Sequence, residues 1–355
     1  MSSPGSAGGQ RVSDTGERAL IERIRRRVPA APPSLVIGIG DDAAVAAPDR
    51  GALQVLTTDA LVEGIHFDRR FSTPADIGYK ALAVNISDVA SMGGAPRFAL
   101  LSLMLPLQMT VAEVDGLLDG LLELAAQTGV SLAGGNITRS PGPLVVDVTV
   151  VGSVKPRKIL TRAGARPGDL LYVTGQIGAA AAGLEWLRHE AVPDHQAAAG
   201  VETPAPRPAD PGMAECVSRH CRPEPRARVG ALLGRTRAAS ACMDLSDGLA
   251  DAVTQLSCAS RTGAKIDASL LPIHPAARDW FMRDGVDAVG RAAAGGDDYE
   301  LLFTVPWRTR SRLRGVLREA RGVLLTRIGE VTADRSVGLV RDGRVEPLPS
   351  GFVHF

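Results

Sequence analysis

The sequence is poor in aromatic residues, which make up only 4% of its 355 residues. Its core must therefore be packed mainly by Ala, Val, Leu and Gly. It also lacks a charge excess, because 40 Lys and Arg residues are balanced by 39 Asp and Glu residues and the net charge is +1. No overall field attracts the protein to nucleic acid or to an acidic membrane. We therefore expect neither as a partner and look for local sites instead.

Cysteine is also scarce, and its spacing fits no metal site. The four cysteines lie in the second half of the chain, without a CxxC or a cysteine and histidine zinc spacing. We expect reduced thiols. No window approaches the roughly 18 apolar residues of a membrane-spanning helix, and the N-terminus has no apolar secretory segment. These absences predict a cytoplasmic protein.

The common nucleotide and hydrolase signatures are missing. The sequence contains no GxxxxGK[ST], no GxGxxG and no protein-kinase HRD or DFG constellation. It also contains no HExxH zinc helix and no Ser-His-acid triad that would indicate a hydrolase. A bound nucleotide would have to be held by metal ions, by Gly-rich turns such as Gly134-Gly135, and by arginine.

The length of the chain predicts two domains. Residues 1–13 are rich in Ser, Gly and Ala and are predicted to be a disordered tail. Residues 14–154 contain strands interrupted by two long helices, which indicates an α+β domain. Residues 155–355 form the second domain, with a Pro- and Ala-rich insertion at about 191–212.

Acidic residues recur where predicted strands and helices end. In GIGDDAAV two glycines precede Asp41 and Asp42, and Thr57, Thr58 and Asp59 follow after the next strand. Oxygen ligands in flexible backbone suit Mg²⁺, which prefers carboxylates, water and substrate phosphates. Taken alone, the first pair is better explained by a plain turn, because Gly and Asp are common turn residues.

Two further acidic groups can also be interpreted either as structural residues or as ligands of a cation. Asp88 lies in a predicted apolar helix, where a carboxylate needs a cation or a bond to a backbone N–H or an arginine. Asp244, Ser246 and Asp247 lie near a predicted helix N-terminus, where they would cap the helix or bind a ligand. If the groups converge, their repulsion requires divalent cations, and a polyphosphate with Mg²⁺ fits best. The residues alone therefore predict a Mg-dependent enzyme acting on phosphates.

Eight motifs in this order resemble the thiamine-monophosphate kinase family: GIGDDAAV, TTDALVEGIHF, YKALAVNISDVASMGG, AGGNITR, LTRAGARPGD, MDLSDGL, GGDDYEL and GFVHF. The resemblance runs from about Asp14 to Phe355. It implies a two-domain α+β fold like that of aminoimidazole ribonucleotide synthetase, with an N-terminal sheet domain that forms a homodimer and a C-terminal α/β sandwich. It also implies ATP-dependent phosphorylation of thiamine monophosphate to thiamine diphosphate, the last step of thiamine diphosphate biosynthesis.

The resemblance also implies roles for individual residues, with direct in-line transfer and no covalent nucleophile. Several Mg²⁺ ions would be bound by Asp42, Thr57, Thr58, Asp59, Asp88, Asn136, Asp244 and Asp247. ATP, near the dimer-side cleft, would contact Gly135, Asn136, Arg162 and Ser246. Thiamine monophosphate would contact His66, Asp297 and Phe352.

Two of these residues depart from the family pattern. Asn136 stands where some relatives have Asp, so an oxygen ligand remains but a charge is lost. Asp297 stands where GGEDYEL would place Glu, which shortens the reach of the carboxylate by one methylene.

Two rival functions use the same fold. One is another enzyme of the superfamily, a cyclo-ligase or a selenophosphate synthetase, although the latter would need an N-terminal cysteine that this chain lacks. The other is a non-catalytic nucleotide-binding or metallocentre-maturation protein, for which a C-terminal cysteine tail would be expected. The chain ends in GFVHF instead.

Overall fold

A computed structural model describes residues 9–190, 206–283 and 285–351. The predicted insertion therefore lies largely outside the described residues, and so does Phe352. The first domain contains α1 (Val12–Thr15), α2 (Glu17–Arg27), β1 (Leu35–Ile37), β2 (Val45–Ala46), β3 (Leu53–Val62), α3 (Pro74–Ser91), β4 (Ala95–Pro106), α4 (Val111–Thr128), β5 (Ser131–Ser140) and β6 (Val145–Val154).

The second domain contains β7 (Leu170–Thr174), α5 (Ala179–Glu190), α6 (Pro211–Cys221), α7 (Ala227–Thr236), β8 (Ala241–Asp244), α8 (Leu249–Ser260), β9 (Gly263–Asp267), α9 (Pro275–Met282), α10 (Ala288–Ala294), β10 (Leu301–Val305), α11 (Arg310–Glu319), β11 (Leu325–Thr332), β12 (Val337–Arg341) and β13 (Arg344–Pro347). None of the helices in the described part of the chain is long and apolar enough to cross a membrane.

The first domain is built on a four-stranded sheet in the order β3-β6-β4-β5. The β4 and β5 strands are parallel, and the other pairs are antiparallel. Inward side chains such as Leu103 and Val148 join the core with α3 and α4. On the opposite face Leu56 is 66% exposed and Leu100 is 38% exposed. This sheet therefore buries one face and leaves apolar side chains on the other.

Helix α3 connects the two domains. It begins with a capping box in which Thr73 and Asp76 exchange hydrogen bonds, and Pro74 occupies the first turn. Its small residues allow close packing against α4, because a Cβ at Gly78 would lie 1.8 Å from the carbonyl oxygen of Leu117. Ala90 at its other end belongs to a core cluster of the second domain. The prediction that this helix is buried on more than one side is confirmed.

The second domain is a seven-stranded sheet in the order β13-β12-β9-β11-β7-β10-β8, with a core on each face. Leu171 and Val173 face one core, whereas the intervening Tyr172 packs against the other. Helices from both sides contribute to these cores, since Leu256 of α8 belongs to the first and Leu233 of α7 to the second. The predicted α/β sandwich is confirmed.

The disordered tail predicted for residues 1–13 is too long at its C-terminal end. Val12 is buried and its N–H donates to the carbonyl of Met109, while the carbonyl of Gln10 accepts from Val111. These contacts add residues 10–12 to the edge of the first domain. These contacts could not be predicted from the sequence, because one apolar side chain among Ser, Gly and Gln gives no periodic pattern.

Candidate active site

A cleft of about 600 Å³ lies between the domains. The first domain contributes the end of β3, His66 and α3, and the second contributes the segments around Asp244 and Asp297. Both segments lie at ends of paired strands, since β8 ends at Asp244 and β10 begins at Leu301 beside it. Asp244 and Asp297 are far apart in the sequence but meet because β8 and β10 are neighbouring strands of one sheet.

Three carboxylates face one another in this cleft. Burial raises the pKa of Asp59 to about 6, and Asp88 adds repulsion. Burial, together with repulsion from Asp88, also raises the pKa of Asp244 to about 7. The pKa of Asp88 is raised by burial, against the hydrogen bond from Thr57 Oγ1 at 2.5 Å. These groups repel one another when all are ionised, so the site favours positive charge.

Hydrogen bonds from neighbouring residues fix the acids in place. Ser87 Oγ, one residue before Asp88 on α3, donates to Asp244 Oδ2 at 2.8 Å and so connects the two domains. Ser246 and Asp247 line the same cleft. The N-cap of α8 is Gly248, so neither of these two residues occupies the capping position that the sequence allowed.

The four polar side chains of the segment GGDDYEL have different surroundings. Asp297 faces the cleft. Asp298 instead accepts hydrogen bonds from the N–H groups of Gly178 and Ala180 at the start of α5, and burial raises its pKa to about 7. Tyr299 joins the core of the first domain. Glu300 is 1% exposed and forms an ion pair with buried Arg226.

His66 lines the cleft, and a backbone hydrogen bond fixes the tautomer of its ring. Its Nδ1 accepts a hydrogen bond from the N–H of Val62 at 3.0 Å. An imidazole nitrogen that accepts cannot carry the proton, so the proton of the ring lies on Nε2. This tautomer suits an anionic oxygen of a ligand.

Asp297 lies beside two buried side chains, Lys80 and His220. Lys80 of α3, 3% exposed, donates to its Oδ2 at 2.9 Å, and Nδ1 of His220 lies 3.4 Å from the same oxygen. Burial acts to raise the pKa of Asp297, but Lys80 and His220 outweigh it and lower the pKa. Asp297 is therefore a carboxylate anion across the neutral pH range.

The sequence did not predict Lys80 or His220 as site residues. For Lys80 the signal was a lysine inside an otherwise apolar helix. For His220 it was a histidine close to the predicted helix end in RHCRPEPR. Neither signal predicts which residue the side chain contacts, because Asp297 lies 217 residues from Lys80 in the sequence.

Four of the predicted ligand residues lie on the outer side of the first domain. Side chains alternate along a strand, so Thr58 points away from Thr57 and Asp59 and bonds to Asp147 and Thr149 on the outer face of the sheet. A groove of about 1150 Å³ on the outer side of the first domain is lined by Asp42, Gly135 and Asn136. The structure thus does not bring these residues into the cleft.

Arg162 lines a third cavity, of about 430 Å³, together with Thr57 and Asp88. Its guanidinium donates to Gln255 Oε1 at 2.5 Å. Asp88 therefore borders both this cavity and the cleft that contains His66 and Asp297.

The acids alone do not form a metal cage. Within residues 9–190, 206–283 and 285–351, no group of three or more His, Cys, Asp or Glu side chains is arranged to hold a metal ion. This arrangement fits Mg²⁺ only with help from a substrate, because Mg²⁺ is commonly bound by one or two carboxylates together with phosphate oxygens and water.

Family models and curated relatives agree on what the chain resembles. Residues 40–154 match the model "AIR synthase related protein, N-terminal domain" and residues 166–342 the corresponding C-terminal domain. A thiamine-monophosphate kinase from Escherichia coli strain K12 is 38% identical over 343 residues, which cover 96% of this chain and 98% of that protein. The chain belongs to the thiamine-monophosphate kinase family. The family resemblance and the two-domain α+β fold predicted from the sequence are confirmed.

Solved structures of the thiamine-monophosphate kinase family superpose over nearly the whole chain. The enzyme from Stenotrophomonas maltophilia K279a has a TM-score of 0.79 and 36% identity, over 92% of this chain and 96% of that one. A structure described as AaThiL complexed with AMPPCP and TMP has a TM-score of 0.73 and 31% identity, over 98% and 99% of the two chains.

Proposed function

We propose that the protein transfers the γ-phosphoryl group of ATP to thiamine monophosphate and so makes thiamine diphosphate. The observation that carries this proposal is the position of Asp88 between two cavities. One contains the predicted acceptor residues His66 and Asp297, and the other contains the predicted nucleotide residue Arg162. The family relationship supports it, because the AaThiL complex holds an ATP analogue together with TMP.

In this proposal the side chains of the chain mainly bind and orient the two substrates. The Nε2–H of His66 donates to the phosphate of thiamine monophosphate, and Arg162 binds the polyphosphate of ATP. The acceptor phosphate is already largely ionised near neutral pH, so no strong general base is needed. Alignment of the reacting phosphates and neutralisation of their charge supply most of the rate.

Magnesium ions complete the proposed site. Asp59, Asp88, Asp244 and Asp247 would hold them together with Thr57, and bound Mg²⁺ would neutralise charge on the phosphates. The raised carboxyl pKa values support this assignment, because they show acids that lack a compensating positive charge. Asp42, Thr58, Gly135, Asn136 and Ser246 remain proposed ligands, of which all but Ser246 line the outer side of the first domain.

Magnesium should change the pH dependence of stability. The pKa values of Asp59 and Asp244 are raised from 3.8 to about 6 and about 7. The folded chain therefore binds protons more tightly than the unfolded one, and these groups lose their stabilising contribution as the pH rises through those values. We expect the free energy of unfolding in ATP with EDTA to fall between about pH 4 and pH 7. Urea titrations in ATP with Mg²⁺, at matched ionic strength, should show a smaller fall, and identical profiles would contradict the metal assignment.

We further propose that the protein is a cytoplasmic homodimer joined through the outer faces of its N-terminal sheets. Support comes from the apolar side chains on that face, including Leu56 and Leu100. Large exposed apolar patches are typical of protein interfaces. The nearby groove with Asp42 and Asn136 would then lie beside the interface.

A direct assay tests the proposed function. The protein is incubated with ATP, Mg²⁺ and thiamine monophosphate, and thiamine diphosphate is measured. Parallel reactions contain aminoimidazole precursors or selenide in place of thiamine monophosphate. We expect product only with thiamine monophosphate, whereas turnover of another acceptor alone would favour the cyclo-ligase or selenophosphate synthetase. ATP binding without any turnover would favour a non-catalytic nucleotide-binding protein.

A further inference from the structure

His220 is a buried polar side chain that the proposed mechanism does not use. It lies on α6, is 3% exposed and lines the cleft between the domains. Among the described residues its Nδ1 has no hydrogen-bond partner, although Asp297 Oδ2 is 3.4 Å away. Buried polar atoms are normally paired, so His220 has hydrogen-bonding capacity beside Asp297 that the described residues do not use.

The surroundings keep this imidazole neutral. Burial lowers the pKa of His220, and the nearby charge of Lys80 lowers it further, against the opposing effect of Asp297. A neutral imidazole carries one N–H donor and one acceptor nitrogen. Lys80 also donates to the carbonyl of His66 at 3.2 Å, which connects the His220 side of the cleft with the proposed phosphate contact.

Lys80 fixes the position of the carboxylate beside His220. Its ammonium group contacts Asp297 Oδ2, whereas Oδ1 of Asp297 lies 3.4 Å from the hydroxyl of Tyr299. The backbone is fixed as well, because the N–H of Asp297 donates to the carbonyl of Ser246 at 2.7 Å. These contacts hold the carboxylate of Asp297 in one position beside the ring of His220.

We infer that His220 and Asp297 together bind an amino-bearing nitrogen heterocycle of the phosphoryl acceptor, with His220 as a specificity-determining residue and Lys80 as a positioning residue. The inference rests on the proposed function. The amino group would donate to the carboxylate of Asp297, and the adjacent ring nitrogen would accept from the imidazole N–H. The aminopyrimidine ring of thiamine has this donor and acceptor pattern.

The test separates ring binding from phosphate binding. Thiamine has the ring without the phosphate, and its dissociation constant is measured by calorimetry. The His220→Phe variant removes the hydrogen bond while retaining an aromatic ring. We expect it to raise the dissociation constant for thiamine and the KM for thiamine monophosphate by about three- to tenfold, with the KM for ATP unchanged. His189→Phe is the matched control, since that histidine side chain is 73% exposed, and it should change neither constant.

Two further measurements keep the inference falsifiable if the phenylalanine variant folds poorly. His220→Asn places an amide near the position of Nδ1 and should restore thiamine binding to within about threefold. The unaltered protein should bind oxythiamine, in which a carbonyl replaces the amino group, at least about threefold more weakly than thiamine. Equal binding of these two compounds overturns the inference, as does equal weakening of ATP and thiamine monophosphate by His220→Phe. Failure to bind thiamine while turnover persists overturns only this inference, whereas absence of turnover overturns the proposed function.

Discussion

Asp88→Asn is expected to abolish formation of thiamine diphosphate, with a loss in kcat of at least about a hundredfold. Asp88 borders both proposed substrate cavities and accepts the hydrogen bond of Thr57. The amide keeps the shape of the side chain but removes the charge that would bind Mg²⁺ and position both phosphates. Steady-state rates with saturating ATP and Mg²⁺ measure the effect.

The fold should survive this substitution. The pKa of Asp88 is raised by burial, so a neutral side chain at this position relieves repulsion with Asp59 and Asp244. The melting temperature without Mg²⁺ should therefore be unchanged or higher. Asp119→Asn makes the same change at a carboxylate whose side chain is 62% exposed on α4, and it should leave turnover intact. Turnover of Asp88→Asn near that of the unaltered protein contradicts the metal assignment.

Arg226→Met is expected to lower the free energy of unfolding by about 3–5 kcal/mol. The substitution leaves the carboxylate of Glu300 in a position that is 1% exposed, where Arg226 now donates to both of its oxygens. Thr174 still donates to Glu300, and the guanidinium of Arg219 lies 3.7 Å from Oε1, but neither contact replaces the two hydrogen bonds that Arg226 donates. Urea titration monitored by circular dichroism measures the loss.

A second substitution shows whether the loss of stability comes from the buried charge of Glu300 or from lost packing of the Arg226 side chain. Glu300→Gln in the Arg226→Met background removes the buried charge that has lost its main partner and should recover a large part of the lost stability. Arg235→Met provides the surface control, because its ion pair with Glu319 has side chains that are 51% and 46% exposed. Its expected cost is below about 1 kcal/mol. Equal losses at positions 226 and 235 would show that burial of the pair is unimportant.

The fold was largely predictable because its signals are local. The alternating apolar residues of β6 and the small, apolar residues of α3 each indicate their own structure. The division near Val154 follows from a change in the order of elements. The edge of the first domain was missed because Val12 is stabilised by contacts with residues about a hundred positions away.

The candidate site was predictable in composition but only partly in arrangement. Asp59, Asp88, Asp244 and Asp247 line one cleft as expected, whereas Asp42 lies in a groove on the outer side of the first domain. Whether Thr58 faces that cleft depends on the strand register and on which face of the sheet is buried. The run Thr57, Thr58 and Asp59 does not show that the middle side chain lies on the opposite face of the strand. The partners of Asp297 depended on packing between domains, since α3 and α6 approach it from different parts of the chain.

The position of α3 has a consequence for protein synthesis. This helix completes a core cluster of the second domain through Ala90, and Gly230 of α7 packs so closely that a Cβ there would lie 2.0 Å from the Ala90 carbonyl oxygen. A nascent chain that has emerged from the ribosome only through β6 therefore has one flank of α3 uncovered. Domains generally fold in order from the N-terminus, but here the first domain must wait for residues 227–236 before its central helix is fully enclosed.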